Sequence, residues 1–257
     1  MPRAPAIKEM FAGISPRYDL LNRILSLGVD RGWRRRARAA LADPIRPPGP
    51  ILDLCCGTGD LSLLLAQGGL EVTGVDFCHE MLVIGREKVR SAAAFRIRFA
   101  EADALTLPFP DAAFAGAAVA FGVRNLEDLD AGLRELARVL RPGGLLAVLE
   151  FATPRGGVAR TFYRIYLTAY VPLIGRLVSG DAGAYAYLSS SIRAFPGQER
   201  FPRRLERAGL TEIRCEDLTG GIAALYLARK PIRGVRSRSG SARPPSGRAG
   251  GSRPDQR

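Results

Sequence analysis

The chain has 257 residues, 47% of them hydrophobic and 25% charged, and carries a net charge of +13. That length and balance suit one domain of α/β size with appendages, and exclude a small disulfide scaffold, a collagen-like chain and a wholly disordered protein. The charge is uneven: Pro231–Arg257 holds seven Arg against one Asp, a net +6, which leaves +7 on the body before it.

In chain order, residues 1–46 read as a helical N-terminal segment, with helices over Ser15–Ser26 and Arg31–Leu41. The start is too short and mixed for a signal peptide, and Pro44, Pro47, Pro48 and Pro50 close the segment. The five arginines at 31, 34, 35, 36 and 38 read as a solvated helix face. Residues 47–230 then alternate. Strands are expected over Ile51–Leu54, Glu71–Val75, Ile97–Ala100, Ala115–Ala120 and Leu145–Phe151. Helices are expected between them at Asp60–Gln67, Met81–Arg90 and Leu126–Leu140. Short connections between alternating strands and helices imply a parallel sheet covered on both faces. After a helix over Glu199–Ala208, strands at Thr211–Glu216 and Ile222–Ala228 follow too closely for a parallel crossover, so the last must run antiparallel. The expected fold is α/β and doubly wound, with a mostly parallel seven-stranded sheet. The Arg-, Gly-, Ser- and Pro-rich end, 231–257, has no aromatic residue and cannot offset its ordering entropy; it is expected to be disordered.

In such a sheet, ligands bind beyond the carboxyl ends of the strands. The first strand leads into Asp53-Leu54-Cys55-Cys56-Gly57-Thr58-Gly59-Asp60, where Gly57 and Gly59 permit a sharp turn and close backbone approach. A dinucleotide fingerprint would need a third glycine where Ser62 stands. The second strand ends in Asp76, placed to accept both hydroxyls of a ribose or else to cap a helix. The third leads to Asp103 and Ala104, an acceptor for an adenine amino group and a backbone N–H for a ring nitrogen. Together these loops suit a nucleoside with a charged amino-acid tail, S-adenosyl-L-methionine; a tight turn without ligand is the bland alternative for the first. No lysine accompanies the glycine loop as in a P-loop. Cys55, Cys56, Cys78 and Cys215 form no CxxC pair, and with one histidine, His79, no metal set arises. The cysteine usage suits a reducing, cytoplasmic compartment.

The stretch from Asp53 to Asp60 resembles the first motif of class I methyltransferases, and Arg141-Pro142-Gly143-Gly144 resembles their turn before the fifth strand. More narrowly, the chain resembles the quinone C-methyltransferases of menaquinone and ubiquinone biosynthesis. The stretches that carry this are Met10-Phe11, Arg17 to Asn22, Trp33-Arg34, Leu107 to Asp111, Phe121-Gly122-Val123-Arg124-Asn125, Leu149-Glu150-Phe151, Tyr187-Leu188, Phe195-Pro196 and Leu218 to Ile222. The resemblance covers about 8–230. It implies a Rossmann-like fold and cofactor contacts from Asp53, Gly57, Thr58, Gly59, Asp76, Asp103 and Ala104. Two departures stand out: Asp103 where the family commonly has Asn, and Ala120 where it commonly has Ser.

The implied reaction methylates a ring carbon of a polyprenylated quinol, demethylmenaquinol in preference to the ubiquinone-pathway benzoquinol. Arg124 is expected to ease ionisation of the quinol hydroxyl, with Asn125 holding Arg124 or a quinol oxygen; the alternative is that Arg124 caps a helix or pairs with Asp128. Tyr18 and Asp19 are expected in a lid, with a purely structural role as the alternative, and Thr161–Val178 in a substrate tunnel or a membrane contact at the inner face, with core packing or a homodimer face as the alternative. A nucleic-acid methyltransferase is suggested by the basic balance but lacks an Asn/Asp-Pro-Pro-Tyr loop after the fourth strand, and no nucleic-acid partner is expected. A non-catalytic cofactor-binding adaptor is the other rival.

Overall fold

The shortest strand is the most enclosed. In the computed structural model, which describes residues 4–92, 96–170 and 182–232, β1 (Ile51–Leu54) is buried at all four positions and lies inside a seven-stranded sheet. Its fellows are β2 (Val72–Asp76), β3 (Ile97–Glu101), β4 (Phe114–Ala120), β5 (Leu140–Phe151), β6 (Thr211–Leu218) and β7 (Ala223–Arg229). Their order is β3-β2-β1-β4-β5-β7-β6. The first five are parallel, and β7 runs antiparallel to both β5 and β6, as its short connection requires. The order reverses between β1 and β4, so the crevice for a ligand opens beyond their carboxyl ends.

The side-chain period of two along each strand sorts the core into two layers. On β5, Leu146 and Val148 join Leu52, Leu54, Leu133, Leu136, Phe201 and Tyr226 on one face. Leu145, Ala147 and Leu149 join Ile51, Leu61, Leu65, Trp33 and Leu41 on the other.

The helices are α1 (Ala4–Ile14), α2 (Tyr18–Leu25), α3 (Asp30–Leu41), α4 (Asp60–Gln67), α5 (His79–Ser91), α6 (Leu129–Val139), α7 (Gly157–Ile165), α8 (Ala182–Ala194) and α9 (Gly197–Arg207), with a π-helical turn at Tyr166–Tyr170 after α7. Several sequence expectations change here. The helix expected over Ser15–Ser26 is interrupted: Pro16 lies in a 3-10 turn, and an unexpected helix, α1, precedes it. The helix expected from Leu126 begins at Leu129, because the Asp128 carboxylate accepts the Ala131 N–H at 2.9 Å and caps it there. Arg34 is not on a solvated face. It is buried, paired with Asp30 one turn earlier and set over the Phe121 ring at 5.5 Å.

The first 46 residues divide in their packing. Trp33, Ala37 and Leu41 of α3 belong to the sheet core, whereas Leu21 and Leu25 of α2 join Tyr163, Leu167 and Ile192 in a third cluster above the crevice. Residues 171–178 of the expected tunnel segment and 233–257 of the arginine-rich end lie outside the described residues. Among the described residues no helix is long and apolar enough to cross a membrane.

Phe201, fully buried between Phe195 and Tyr226 at ring distances of 5.0 and 4.8 Å, carries α9 on the sheet. Phe201→Ala is expected to destabilise the fold by about 3–5 kcal/mol, read as a lower urea midpoint at unchanged slope.

Candidate active site

The loop after β1 turns through left-handed backbone at Cys55, Gly57 and Gly59. The turn aims the Gly57 N–H at Asp76 Oδ2, 2.8 Å away on the end of β2. Asp76 Oδ1 accepts the Cys78 N–H at 3.0 Å. Each oxygen keeps a lone pair for a further donor, and burial pushes this carboxyl up, opposed by those N–H groups. Beyond β3, Asp103 Oδ1 accepts the Leu105 N–H at 2.9 Å. Gly57, Asp76, Asp103, Ala104, Ala120 and Asn125 line one cavity over the strand ends, with Leu54, Val75 and Met81 as apolar wall and Phe11 and Tyr18 from the N-terminal helices as roof.

A second cavity adjoins it. The two share Phe11, Tyr18 and Phe121, so a group leaving one for the other crosses between these rings. The second is walled mainly by apolar and aromatic side chains, among them Leu21, Leu25, Phe151, Tyr163, Tyr166, Leu167 and Ile192, with Arg34 and Arg124 as its cations. Arg124 Nη1 donates to Glu150 Oε1 at 2.7 Å and to the Phe121 carbonyl. Its guanidinium lies 5.4 Å from the centre of the Phe151 ring. Burial pushes the Glu150 carboxyl up, and Arg124 opposes this. Asp128, considered from the sequence as the partner of Arg124, caps α6 instead. Asn125 does not hold Arg124 either: its Oδ1 accepts the Tyr187 hydroxyl at 3.1 Å. Two donors on this wall, Arg124 Nε and the Tyr163 hydroxyl, are buried with no hydrogen-bond partner among the described residues. Such groups are costly unless a ligand completes them.

Three of the expected cofactor residues stand behind the first cavity rather than on its wall. Asp53 is buried, accepts the Ser62 hydroxyl at 2.6 Å, and leaves Oδ1 without a partner. Ser62, at the place of the absent third glycine, thus secures α4 to β1. Thr58 donates to Asp19 Oδ1 at 2.6 Å and accepts from Lys88 Nζ at 2.9 Å. Lys88 also meets Asp19 at 2.5 Å and Asp60 at 2.7 Å, so α2, the glycine loop and α5 are tied at one cation. Gly59 starts α4, and a Cβ there would lie 2.8 Å from the Phe99 ring. Gly74 and Gly85 press on the same ring from β2 and α5. Glu150 and Lys88 have no chemical role in the sequence reading, since no local spacing links either to its partner, and Tyr163 enters it only as part of the Thr161–Val178 segment. His79 Nδ1 lies 3.0 Å from Glu101 on the surface, away from both cavities.

The sequence of the ubiE/COQ5 methyltransferase family matches residues 3–230. The demethylmenaquinone methyltransferase of Thermus thermophilus is 48% identical over 224 residues, 86% of this chain and 100% of that one. The protein of the same name in Deinococcus radiodurans is 48% identical over 231 residues, 89% and 94% of the two chains. The ubiquinone/menaquinone biosynthesis C-methyltransferase UbiE of Geotalea daltonii is 42% identical over 228 residues, 87% and 96%. In fold, the cyclase SpnF superposes with a TM-score of 0.65 at 20% identity over 90% of this chain and 97% of its own. A Haemonchus contortus phosphoethanolamine N-methyltransferase solved with S-adenosyl-L-methionine gives 0.56 at 16% identity over 76% and 52%.

Burial raises the Asp53 carboxyl to about 7, against its bond from Ser62. The folded chain therefore holds this proton more tightly than the unfolded chain, whose Asp titrates near 4 (~3.9). The resulting stability is present below that value and is lost as pH rises through about 7. Between pH ~4 and ~8, wild type should lose on the order of 2–4 kcal/mol relative to Asp53→Asn, measured by urea unfolding of both across that range.

Proposed function

The chain belongs to the ubiE/COQ5 methyltransferase family, and on that premise we propose that it transfers the methyl group of S-adenosyl-L-methionine to a ring carbon of a polyprenylated quinol, with demethylmenaquinol as the preferred acceptor. The observation that carries this is the pair of adjoining cavities, one edged with nucleoside acceptors, the other aromatic and apolar with two unsatisfied donors. The names borne by the Thermus and Deinococcus relatives favour the naphthoquinol acceptor over the benzoquinol.

The residues fit the cofactor. Asp76 has an unused lone pair on each oxygen for the ribose hydroxyls. Asp103 keeps its second oxygen for the adenine amino group, and Ala104 lies beside it on the cavity wall. The backbone of Gly57 faces the remaining length of the cofactor, while Thr58, Gly59 and Asp53 hold that loop in shape from behind. When bound, the cofactor supplies a methyl group already activated by its sulfonium. What remains for the protein is alignment, which can supply about 7–11 kcal/mol of the barrier.

The acceptor carbon gains nucleophilicity when its neighbouring hydroxyl ionises, and a phenol does so near pH ~10 in water. Arg124, held on the wall of the second cavity by Glu150, stabilises the anion there through Nε, and the Tyr163 hydroxyl donates to the same oxygen. Asn125 sits at the edge of the first cavity, between its floor and Tyr187. Helices α1 and α2 act as a lid, latched by Asp19 to Thr58 and Lys88, and exclude water from the transfer. Quinols with polyprenyl tails partition into bilayers, so the reading includes peripheral contact with the inner face of the membrane. The exposed Arg31, Arg35 and Arg36 of α3 favour an anionic surface.

The direct test offers labelled S-adenosyl-L-methionine with demethylmenaquinol and with the demethylated benzoquinol, separately and under reducing conditions. Label in the naphthoquinol alone is expected; label in both makes the enzyme dual, and label in neither with cofactor bound refutes the acceptor. Arg124→Ala should lower kcat by about 100-fold or more and leave cofactor Kd within about threefold, while Tyr163→Phe should lower kcat by roughly 10-fold. Equal losses in turnover and cofactor affinity for Arg124→Ala would sink the role given to it.

A further inference from the structure

Outside the wall formed by Tyr163 and Tyr166, the surface carries an apolar groove. Leu27, Val29, Trp33, Pro154, Gly220 and Ile222 line it. It shares Leu25, Ser26, Phe151, Tyr163 and Tyr166 with the second cavity, so a single layer of side chains separates inner cavity from outer groove. Among the described residues no Lys, Arg, Asp or Glu lines it. Its rim is apolar and open to solvent. Leu27 is 77% exposed and sits in left-handed backbone at φ 51°, and Val29 is 41% exposed. A left-handed non-glycine residue costs about 1–2 kcal/mol, and here it presents a leucine to solvent.

The separating layer is built from flat rings. Tyr166 lies stacked between Tyr163 and Tyr170, with ring centres 5.9 and 5.3 Å apart. It is joined to α2 by one hydrogen bond, from its hydroxyl to the Leu25 carbonyl. On the groove's floor, the Trp33 indole N–H already donates to Thr219 Oγ1 at 2.8 Å, so the indole has no polar atom left to offer.

We propose that this groove is the binding site for the isoprenoid chain of the acceptor: the quinol ring occupies the inner cavity, and the tail leaves beside Tyr166 and lies along Leu27, Val29 and Trp33. The assignment rests on the quinol reading above for the ring, and on the groove's continuity, apolar lining and strained apolar rim for the tail. The Tyr166–Leu25 bond is the gate the chain passes.

Trp33 is the only tryptophan of the chain, so its emission reports the groove directly. The full-length protein is titrated with farnesol, an isoprenoid alcohol with no quinol ring. A saturable change in Trp33 emission is expected, about tenfold weaker in affinity in a Leu27→Glu, Val29→Glu variant, since an apolar chain cannot satisfy the charges it would cover. Both substituted positions are solvent-facing, and Ile45→Glu, at an 80% exposed site outside the groove, is the control expected to change nothing. The same double variant should lower kcat/KM for a long-tailed quinol about tenfold relative to a tailless one.

No saturable response, or an unchanged ratio between the two quinols, overturns the proposal. So does an equal response to a straight-chain alcohol of the same carbon number, which reassigns the groove to membrane acyl chains. Dissociation of a dimer by the double variant, seen by light scattering, reassigns it to a second copy of the chain. Farnesol binding without methylation of either quinol fells the functional reading and leaves the isoprenoid site standing.

Discussion

A guanidinium and a carboxylate buried against each other hold the carboxyl edge of the sheet together. Glu150 is fully buried on β5, opposite Ala224 of β7, and Arg124 follows the end of β4. Removing one partner of such a pair leaves the other as an uncompensated charge, at a cost of about 3–5 kcal/mol. The positions of β4, β5 and β7 at this edge are therefore not independent. The backbone bends to permit the contact. Phe121 takes a left-handed conformation, and Gly122 crosses so close over the loop after β1 that a Cβ would lie 2.3 Å from that of Cys55. The chain can then turn back and bring Arg124 to Glu150. The same geometry places Phe121 between the two cavities and Arg124 on the wall of the second.

A second constraint acts from above. Helices α1 and α2 contribute Phe11 and Tyr18 to both cavities, and Asp19, next to Tyr18, is tied to Thr58 and Lys88. Since Thr58 belongs to the turn that presents Gly57, α2 is bonded directly to the loop on which the first cavity depends. Roof and floor are joined through these bonds. This gives the N-terminal helices a defined share in the site, while α3, rooted in the core by Trp33 and Leu41, stays with the sheet.

Much of this was legible in the sequence. Short apolar runs alternating with amphipathic stretches identified all seven strands, and the brief link to the last one indicated its reversed direction. Gly57, Asp76, Asp103 and Ala104 line one cavity because each ends or closely follows a strand, and strand ends in a parallel sheet share an edge. What escaped were relations across long separations. Arg34, in a run of arginines, looks solvated; its burial follows from Asp30 and from Phe121, which lies on another element. Lys88 reaches Thr58 from thirty positions away. Glu150 reads as part of a strand until the register puts Arg124 beside it. Helix α6 starts later than its apolar period suggests because a cap overrides periodicity at Asp128. Helix α7 carries a marked apolar stripe, but the sequence reading places its second half in a tunnel segment from Thr161 on; α8 carries only a weak stripe.

The ring of Phe99 has a consequence beyond packing. It is wedged by Gly59, Gly74 and Gly85, which come from the ligand loop, a neighbouring strand and a helix. The curvature of that loop is thus moulded by a residue forty positions further on. A designer who transplanted Asp53–Asp60 alone into a foreign sheet would move the glycines without their template. The transferable unit is the loop together with β2, α5 and the aromatic plug on β3.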